Sequence, residues 1–454
     1  MTDRLDTALA VLADAAARLR ARAAAFRQPA DPAGAVRAFD GQVITVEGLS
    51  APSGTLVRIE AGDACLTAEA IGFSGAELLL MPLARGPVTP GALAYPLGRR
   101  DFVAVGQALL GRVSDGLGEP ADGLGPMPGS RAVPLDGVPL PPLARGDVTE
   151  ALPTGVRAID GLLTLGRGQR IGLVAGSGVG KTTLMLDLVA QVVADVRVVA
   201  LIGERGREIA GFVEQLTPEA RSRTHVVAVP ADAAPALRLR GVRRALAIAE
   251  SFRADGAQVL FVLDSLTRVA HAQREIGLAA GEPVGLRGYP ASALALVARL
   301  VERSGNDRLS GGSVTAVFTV LADGDDVVTD PVVDAARGTL DGHVVLTREV
   351  AARGRFPAID PTQSVSRTMD RCVTPRHLAA ARAFVADVAL IEANRDLLAM
   401  GAHVPGQDPA LDRALARAEA IEAFLRQPAG QPEAFATTVD RLVAVWGDEE
   451  APPS

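Results

Sequence analysis

The sequence predicts an α/β protein whose mainly parallel sheet is preceded by a small β domain and followed by helices. Over residues 98–372, apolar strand-like segments such as RIGLVAG, VRVVALIGE, AQVLFVLDS and SVTAVFTVL alternate with helical stretches. This alternation is typical of parallel strands joined by crossover helices. A chain of 454 residues is also too long for one compact core, and roughly 100 to 200 residues per domain suggests about three domains.

Residues 1–30 are predicted to form a separate helix, over residues 3–26. Its apolar residues recur at a 4-3-4-3 spacing that lines one narrow face, namely Leu5, Leu9, Leu12, Ala16, Leu19, Ala23 and Phe26. Acidic residues near its start and arginines near its end suit the helix dipole. The linker QPADPAG separates this helix from the next segment. Two interpretations stay open, a helix packed on its own protein and a helix that binds a partner.

The segments on either side of the α/β region have different patterns. Residues 31–97 contain short alternating stretches, GQVITVEGL, GTLVRIEAG and AELLLMPLA, broken by Gly and Pro, and they predict a small β-barrel or sandwich. Residues 373–454 contain HLAAARAFVADVALIEANRDLLAMG and ALDRALARAEAIEAFLRQ, each of which reads as a helix. We therefore expect a C-terminal helical domain.

Composition excludes several classes of protein. The net charge of −7 argues against a chain whose overall charge gathers nucleic acid. Cys65 and Cys372 form no paired pattern with each other or with the five histidines, so we expect neither a disulfide framework nor a zinc site. Every stretch of about 18 residues carries a charge, which argues against a membrane span. A cytoplasmic protein is expected, with any membrane association peripheral.

The stretch AGSGVGKTT is the strongest chemical signal, because it lies between an apolar run and a helical segment, as a P-loop does. Its glycines let successive backbone N–H groups point at phosphate oxygens, and the helix N-terminus adds partial positive charge. The predicted ATP-binding residues are Ala175, Gly176, Ser177, Gly178, Val179, Gly180, Lys181, Thr182 and Thr183. Ala175 stands where the usual GxxxxGK[ST] pattern has its first glycine.

Lys181 is the only lysine in a chain with 46 basic Lys and Arg residues. A compact ammonium on a flexible stem reaches between the β and γ phosphates of a nucleotide, whereas the wider planar guanidinium of arginine does not. Thr182 is predicted to place its hydroxyl on Mg²⁺, and Thr183 to approach the α phosphate. ATP with Mg²⁺ is therefore the expected substrate and cofactor.

Two carboxylates follow later predicted strands. Asp264 ends the run VLFVLD, where it would hold Mg²⁺ through a water shell. Glu204 ends the strand VRVVALIGE, where it could polarise water for in-line attack on the γ phosphate. Taken alone, Asp264 would more often cap a turn and Glu204 would more often form a surface ion pair. The order of three strands, ending at the P-loop, Glu204 and Asp264, favours the catalytic interpretation.

Together, AGSGVGKTT, GERGREI, LDSLTRVAHAQREIGLAAGEP, RGYPAS, LDGHVVLTREVAARGRFPAID and SVSRTM resemble the ATPase of flagellar and type III protein export. That family is related to the rotary ATP synthase α and β subunits, and the resemblance covers residues 98 to about 430. It implies an N-terminal β-barrel, a RecA-like P-loop ATPase core and a C-terminal helical domain. It also implies a homohexameric ring with ATP bound between subunits.

The resemblance also carries roles for individual residues. By position, Glu204 matches the catalytic carboxylate and Arg205 the basic residue beside it. Arg367 in SVSR matches the arginine finger that completes a neighbour's site. Phe356 matches the aromatic residue that packs on adenine, where the rotary β subunit typically has Tyr. Outside the family context, Arg367 could pair within its own subunit and Phe356 could belong to the core.

The function implied is ATP hydrolysis coupled to flagellar protein export, with release of chaperones and unfolding of substrates. The implied partners are a regulator dimer at the N-terminal helix, stalk and export-gate components, and substrate–chaperone complexes. The implied location is the cytoplasm, peripheral to the export apparatus of the inner membrane. DGDDVVTDPVVD and SVSRTM favour the flagellar branch over virulence-type secretion, which remains the alternative.

Three alternative functions agree less well with the sequence. A rotary β subunit would carry an acidic C-terminal segment, but the comparable region reads GAHVPGQDPALDRALA. A non-catalytic α-like subunit would have replaced Glu204. An RNA translocase would need a basic, aromatic strand platform, yet Phe39, Phe73 and Tyr95 are the only aromatics in residues 35–97, and we expect no nucleic-acid partner.

Overall fold

The computed structural model describes residues 33–97, 101–176, 178–321 and 330–447. These residues fall into two compact units, one before and one after the boundary at residue 100. The helix predicted over 3–26 and the P-loop residue Ser177 lie outside the described residues. None of the helices within the described ranges has the length and apolar character needed to cross a membrane.

The first unit is a closed antiparallel barrel in the order β1-β2-β5-β4-β3-β6. Its strands are β1 (Gly34–Phe39), β2 (Ile44–Glu47), β3 (Leu56–Ala61), β4 (Ala64–Ser74), β5 (Glu77–Pro82) and β6 (Leu93–Pro96). Alternate apolar side chains, among them Val36, Ile44, Val46 and Ile59, fill its interior. Closure pairs both edges of the sheet. Of the two architectures the sequence left open, the structure therefore has the barrel.

The second unit is built on a sheet in the order β18-β17-β11-β16-β14-β12-β13-β8, with β15 and β10 added beside β16. Its strands, together with the separate β7–β9 pair, are β7 (Phe102–Val105), β8 (Val113–Ser114), β9 (Arg131–Pro134), β10 (Arg145–Gly146), β11 (Arg170–Ala175), β12 (Val196–Glu204), β13 (Thr224–Pro230), β14 (Gln258–Asp264), β15 (Gly305–Asp307), β16 (Ser313–Leu321), β17 (Gly342–Leu346) and β18 (Ile359–Ser366). The central pairs are parallel and β18 is antiparallel.

Helices surround this sheet and continue beyond it. They are α1 (Arg157–Leu162), α2 (Lys181–Gln191), α3 (Gly206–Gln215), α4 (Pro218–Ser222), α5 (Pro235–Ala254), α6 (Leu266–Ala279), α7 (Ala291–Val301), α8 (Pro331–Thr339), α9 (Arg348–Ala352), α10 (Met369–Cys372), α11 (Pro375–Ala393), α12 (Arg395–Ala399), α13 (Pro409–Ala416), α14 (Ala418–Leu425) and α15 (Phe435–Trp446). Apolar cores form on both faces of the sheet. The predicted α/β class with a barrel before it and helices after it is therefore confirmed.

The parallel strands all end at one edge of the sheet. Ala175 at the end of β11 pairs with Leu321 at the end of β16, and Asp264 at the end of β14 pairs with Leu201 of β12. The central strands are buried along their length, as apolar runs covered on two faces should be. The crevice outside the carboxyl ends of such strands is where α/β proteins bind ligands.

The C-terminal helices belong to the same compact unit as the sheet. Helix α11 packs against α1, α15 and β18. Two segments that the sequence predicts as single helices are each broken, at Asn394 and at Arg417. The Asn394 side chain donates to the Leu390 carbonyl at 2.9 Å, a local bond that competes with helix continuation. Arg417 instead pairs with Asp387 at 3.1 Å.

Candidate nucleotide-binding site

A cavity of about 440 Å³ lies at the carboxyl edge of the sheet. It is lined by the turn between β11 and α2 and by the ends of β12, β14 and β16. Its size falls in the range of small-molecule sites. Seven of the nine P-loop residues predicted from sequence to bind ATP line it together with Glu204 and Asp264, namely Ala175, Gly176, Gly178, Gly180, Lys181, Thr182 and Thr183.

The turn before α2 owes its shape to glycine. Gly178 has φ of 80° and Gly180 has φ of 90°, values that a residue with a Cβ adopts only with strain. Val179 between them is buried in the core, so it anchors the turn and does not line the cavity. Because α2 begins at Lys181, its unpaired N–H groups and the positive end of its dipole face the cavity, an arrangement that binds anions.

Lys181 is held by the carboxylates of the neighbouring strands. Its Nζ donates to Asp264 Oδ1 at 2.5 Å and lies 3.9 Å from Glu204 Oε1. Thr319 Oγ1 donates to the same Asp264 oxygen at 2.6 Å. Four separate parts of the chain therefore contribute side chains to the surroundings of one ammonium group, where the phosphates of a nucleotide would lie.

Glu204 is buried and incompletely paired. Only 8% of it is exposed, and its Oε1 has no hydrogen-bond partner within the described part of the chain. Burial raises the pKa of Glu204 to about 7, and the charge of Asp264 acts in the same direction while Lys181 opposes it. A carboxylate whose pKa lies near neutral pH is suited to accept a proton from water.

Arg205 lies on the rim of the cavity. It is the residue before α3, and its guanidinium is largely exposed and pairs with Glu208 at 2.8 Å. Both side chains line the cavity. Arg205 therefore follows Glu204 directly in the chain, but its guanidinium turns toward Glu208 on helix α3.

Phe356 lies next to the P-loop and outside the cavity lining. A Cβ built on Gly180 would be 3.8 Å from Phe356 Cδ1, and Phe356 is 47% exposed. The Phe356 carbonyl accepts a hydrogen bond from the Gln427 amide at 2.9 Å, which ties this loop to the C-terminal helices. An exposed aromatic ring beside a phosphate loop is available for stacking on a base.

Arg367 is not part of this cavity. Its backbone amide donates to the Asp341 carbonyl at 2.8 Å, and the Asp341 amide donates to the Arg170 carbonyl at 2.8 Å. Arg170 begins β11, whereas the P-loop follows the end of β11. Six residues at about 3.3 Å each separate the two positions by roughly 17 to 20 Å. The exposed Arg367 side chain lines a different groove, beside α1 and α11.

Sequence reasoning missed two basic residues of the cavity. Arg268 and Arg348 both line it, and Arg268 Nε is buried without a hydrogen-bond partner. A signal was present, because each arginine follows closely on a strand that ends at the carboxyl edge, β14 for Arg268 and β17 for Arg348. Two further cations there increase the affinity of the cavity for a polyphosphate.

The donors around the cavity suit a hydrated Mg²⁺ ion that arrives with the nucleotide. No cluster of three or more His, Cys, Asp or Glu within the described ranges could hold a metal by itself. Thr182 and Asp264 both line the cavity and offer oxygen atoms. Mg²⁺ usually keeps several waters and binds through one or two protein oxygens plus substrate phosphates, so the residues present fit such an ion.

Fold and site together define a P-loop ATPase of the ATP synthase α/β type. The nucleotide-binding domain of the ATP synthase alpha/beta family matches residues 155–366, and the T3SS EscN ATPase C-terminal domain matches residues 373–444. The flagellum-specific ATP synthase of Pseudomonas aeruginosa is 44% identical over 444 residues, covering 96% of this chain and 98% of that protein. The chain belongs to the family of flagellum-specific and type 3 secretion ATPases.

Further relatives agree with this assignment. The flagellum-specific ATP synthase of Salmonella typhimurium is 47% identical over 401 residues, covering 85% of this chain and 88% of that protein. The assembled ATPase EscN of the enteropathogenic E. coli type III secretion system superposes with a TM-score of 0.86 at 38% identity, covering 91% of this chain and 99% of EscN. EscN in complex with its central stalk EscO gives a TM-score of 0.82 at 37% identity, with the same coverage.

Proposed function

We propose that this chain hydrolyses ATP as a homohexameric ring and couples hydrolysis to protein export by a flagellar type III secretion apparatus. In that role it releases chaperones from export substrates and unfolds the substrates. The observation that carries the proposal is the meeting of the P-loop, Glu204 and Asp264 at one cavity, while Arg367 lies at the opposite edge of the sheet. The identity to flagellum-specific relatives supports an export ATPase, and the segments DGDDVVTDPVVD and SVSRTM favour the flagellar branch.

The residues in and beside the cavity have distinct proposed roles. The P-loop amides and Lys181 bind the β and γ phosphates, while Thr182, and Asp264 through water, would hold Mg²⁺, which would neutralise charge on the phosphates. Glu204 orients a water molecule and accepts its proton as the water attacks the γ phosphate in line with the leaving group. Arg205 contributes positive charge at the rim, and Phe356 stacks on adenine.

The position of Arg367 supports a ring. An arginine finger must reach the transferred phosphate, and Arg367 lies roughly 17 to 20 Å from its own P-loop. Arg367 lies at the edge of the sheet where the parallel strands begin. If each subunit packs this edge against the carboxyl edge of the neighbouring subunit's sheet, the contact is head-to-tail. Head-to-tail contacts of one kind close into a ring when the rotation between subunits permits.

The proposed partners follow from the family and from the N-terminal sequence. EscN has been solved with its central stalk EscO, and we propose a stalk partner for this chain as well. We also propose that the helix predicted over residues 3–26 binds a regulator dimer, and that export-gate components and substrate–chaperone complexes bind elsewhere on the ring. The protein would then work in the cytoplasm at the inner-membrane export apparatus, without nucleic acid.

Export assays in the source organism test the pathway. Deleting the gene should abolish motility and secretion of filament subunits, and a wild-type copy should restore both, whereas a Glu204→Gln copy should not. Unchanged motility together with loss of another type III secretion activity would assign the chain to the virulence branch. Purified protein should hydrolyse ATP with Mg²⁺ and lose this activity when the metal is chelated.

Pull-down tests the regulator helix. Replacing Leu12 and Leu19 with Asp should abolish capture of the regulator, because the substitutions place charge in the apolar stripe. Ala21→Asp, on the opposite side of the predicted helix, should leave capture and ATPase activity unchanged. Equal capture by the Leu12→Asp, Leu19→Asp variant and the wild type would contradict this role.

A further inference from the structure

We infer that Thr319 is a positioning residue, which holds the Asp264 carboxylate in place when Lys181 transfers from that carboxylate to the phosphates of ATP. The inference rests on the proposed function, because it concerns the same nucleotide site. Thr319 stood out in none of the sequence motifs. Its importance follows from the order of strands in the sheet.

Thr319 lies on β16, which runs between the P-loop strand β11 and the Asp264 strand β14. It is fully buried. Its hydroxyl donates to Asp264 Oδ1 at 2.6 Å, and Lys181 Nζ donates to that same oxygen at 2.5 Å. One carboxylate oxygen therefore receives both a charged donor and a neutral donor.

Nucleotide binding changes this arrangement. When Lys181 turns its N–H donors toward the β and γ phosphates, its bond to Asp264 weakens or breaks, because the ammonium moves away from a carboxylate that now lies 2.5 Å from it. Asp264 is 5% exposed, and a buried carboxylate without donors is costly and free to turn. The Thr319 hydroxyl remains on Oδ1 after Lys181 has left. This bond would limit rotation of the carboxylate, which would then be held ready for a hydrated Mg²⁺ ion that arrives with the nucleotide.

The end of β16 is fixed relative to Asp264 by a second contact. The Leu321 amide donates to Thr267 Oγ1 at 2.9 Å, and Thr267 Oγ1 donates to the Leu321 carbonyl at 3.3 Å. Thr267 lies in the first turn of α6, directly after the Asp264 strand. Because β16 is tied to this turn, Thr319 cannot drift from the carboxylate it holds.

The test is the Mg²⁺ dependence of binding of a fluorescent ATP analogue, which needs no turnover. Thr319→Val keeps the shape of the side chain and removes the donor, and Thr319→Ser keeps the donor. Thr315→Val is the matched control, because Thr315 is a buried threonine on the same strand whose hydroxyl accepts from the Gly168 amide at the other edge. Thermal unfolding of each variant checks that it is folded.

The Thr319→Val protein should need about tenfold more Mg²⁺ than the wild type for half-maximal binding of the analogue. The reason is the loss of a hydrogen bond to a charged group. Thr319→Ser should restore the wild-type Mg²⁺ response, and Thr315→Val should lower the unfolding temperature without changing that response. If Thr319→Val does not fold, Thr319→Ala carries the same expectation.

A wild-type Mg²⁺ response in a folded Thr319→Val or Thr319→Ala protein overturns the inference, as does a Thr319→Ser protein that behaves like Thr319→Val. Neither result would contradict the proposed function. Failure of the wild-type protein to bind the analogue at any Mg²⁺ concentration would instead overturn the proposed function.

Discussion

Lys181 and Arg367 lie at opposite edges of one sheet, the lysine just beyond the end of β11 and the arginine level with its first residue. Both are residues that would contact the γ phosphate of ATP. Because the length of a strand separates the two side chains, Lys181 and Arg367 of one subunit cannot contact the same phosphate. A site that uses both must take them from two subunits.

Arg367→Ala should reduce ATP hydrolysis by about 10³-fold while leaving nucleotide binding largely intact. Mixing Arg367→Ala with Glu204→Gln subunits should recover part of the activity, because some interfaces then combine an intact Glu204 with an intact Arg367. Arg371→Ala is the control, since Arg371 is an exposed arginine four residues further along the chain, and this variant should hydrolyse ATP normally. Activity should also rise steeply with protein concentration. Absence of recovery in the mixture would argue against a shared site.

Lys181→Arg should reduce hydrolysis by roughly 100-fold or more although the charge is unchanged. The planar guanidinium is too wide for the space between the P-loop amides and Asp264, where the ammonium now lies 2.5 Å from a carboxylate oxygen. Steady-state ATPase assays of the folded variant measure this effect. Wild-type turnover would refute the role given to the ammonium.

The pH dependence of kcat/KM should show an acidic limb with a midpoint near 7. Burial raises the pKa of Glu204 to about 7, and only the deprotonated carboxylate can accept a proton from water. Below that pH the rate should fall about tenfold per pH unit. An acidic limb whose midpoint lies near the ordinary pKa of glutamate would mean that another group limits the rate.

Glu204→Gln should abolish hydrolysis but raise the unfolding temperature by a few degrees at pH 8. Because the folded pKa of Glu204 is raised above its unfolded value, the folded state binds the proton more tightly and stability falls as pH rises from about 4.5 to about 7. Glutamine removes that cost, so the gain should be small at pH 4.5 and full above pH 7.

Glu208→Gln is a comparison variant, because the pKa of Glu208 is shifted in the opposite direction from that of Glu204. Although burial acts in the other direction, the hydrogen bond from Arg205 holds the pKa of Glu208 below its ordinary value. Its contribution to stability is therefore present above the unfolded pKa, and Glu208→Gln should not stabilise the protein at pH 8. A gain in Glu204→Gln that does not grow between pH 4.5 and pH 7 would contradict the assignment of the cost to the Glu204 carboxylate. Calorimetric melting of both proteins across pH checks the two signs.

Phe356→Ala should raise KM for ATP about tenfold with little change in kcat, because stacking of an aromatic ring on a base is worth about 1–3 kcal/mol. Phe356→Tyr should behave like the wild type, since the ring supplies the contact. A normal KM in Phe356→Ala would place the adenine elsewhere. Loss of kcat without a change in KM would point to a disturbed P-loop, because the ring adjoins Gly180.

Local signals in the sequence predicted much of the cavity. The P-loop, Glu204 and Asp264 each end an apolar segment, and the carboxyl ends of parallel strands meet at one edge whatever the strand order. Arg268 and Arg348 carried the same strand-end signal, but Thr319 was missed for a different reason. Thr319 contacts Asp264 across 55 residues of chain, and the pattern of an apolar strand does not say which other strand it will pair with.

The sequence by itself determined the class of fold, the phosphate loop with its single lysine, and two carboxylates on strand ends, since each depends on local periodicity and turn chemistry. Only the tertiary structure decided that β16 lies between the strands of Lys181 and Asp264, and that Arg367 lies on the far edge of the sheet. Both facts come from the pairing order of strands distant in sequence. That order is selected by packing of the whole sheet against its helices, which no single segment encodes.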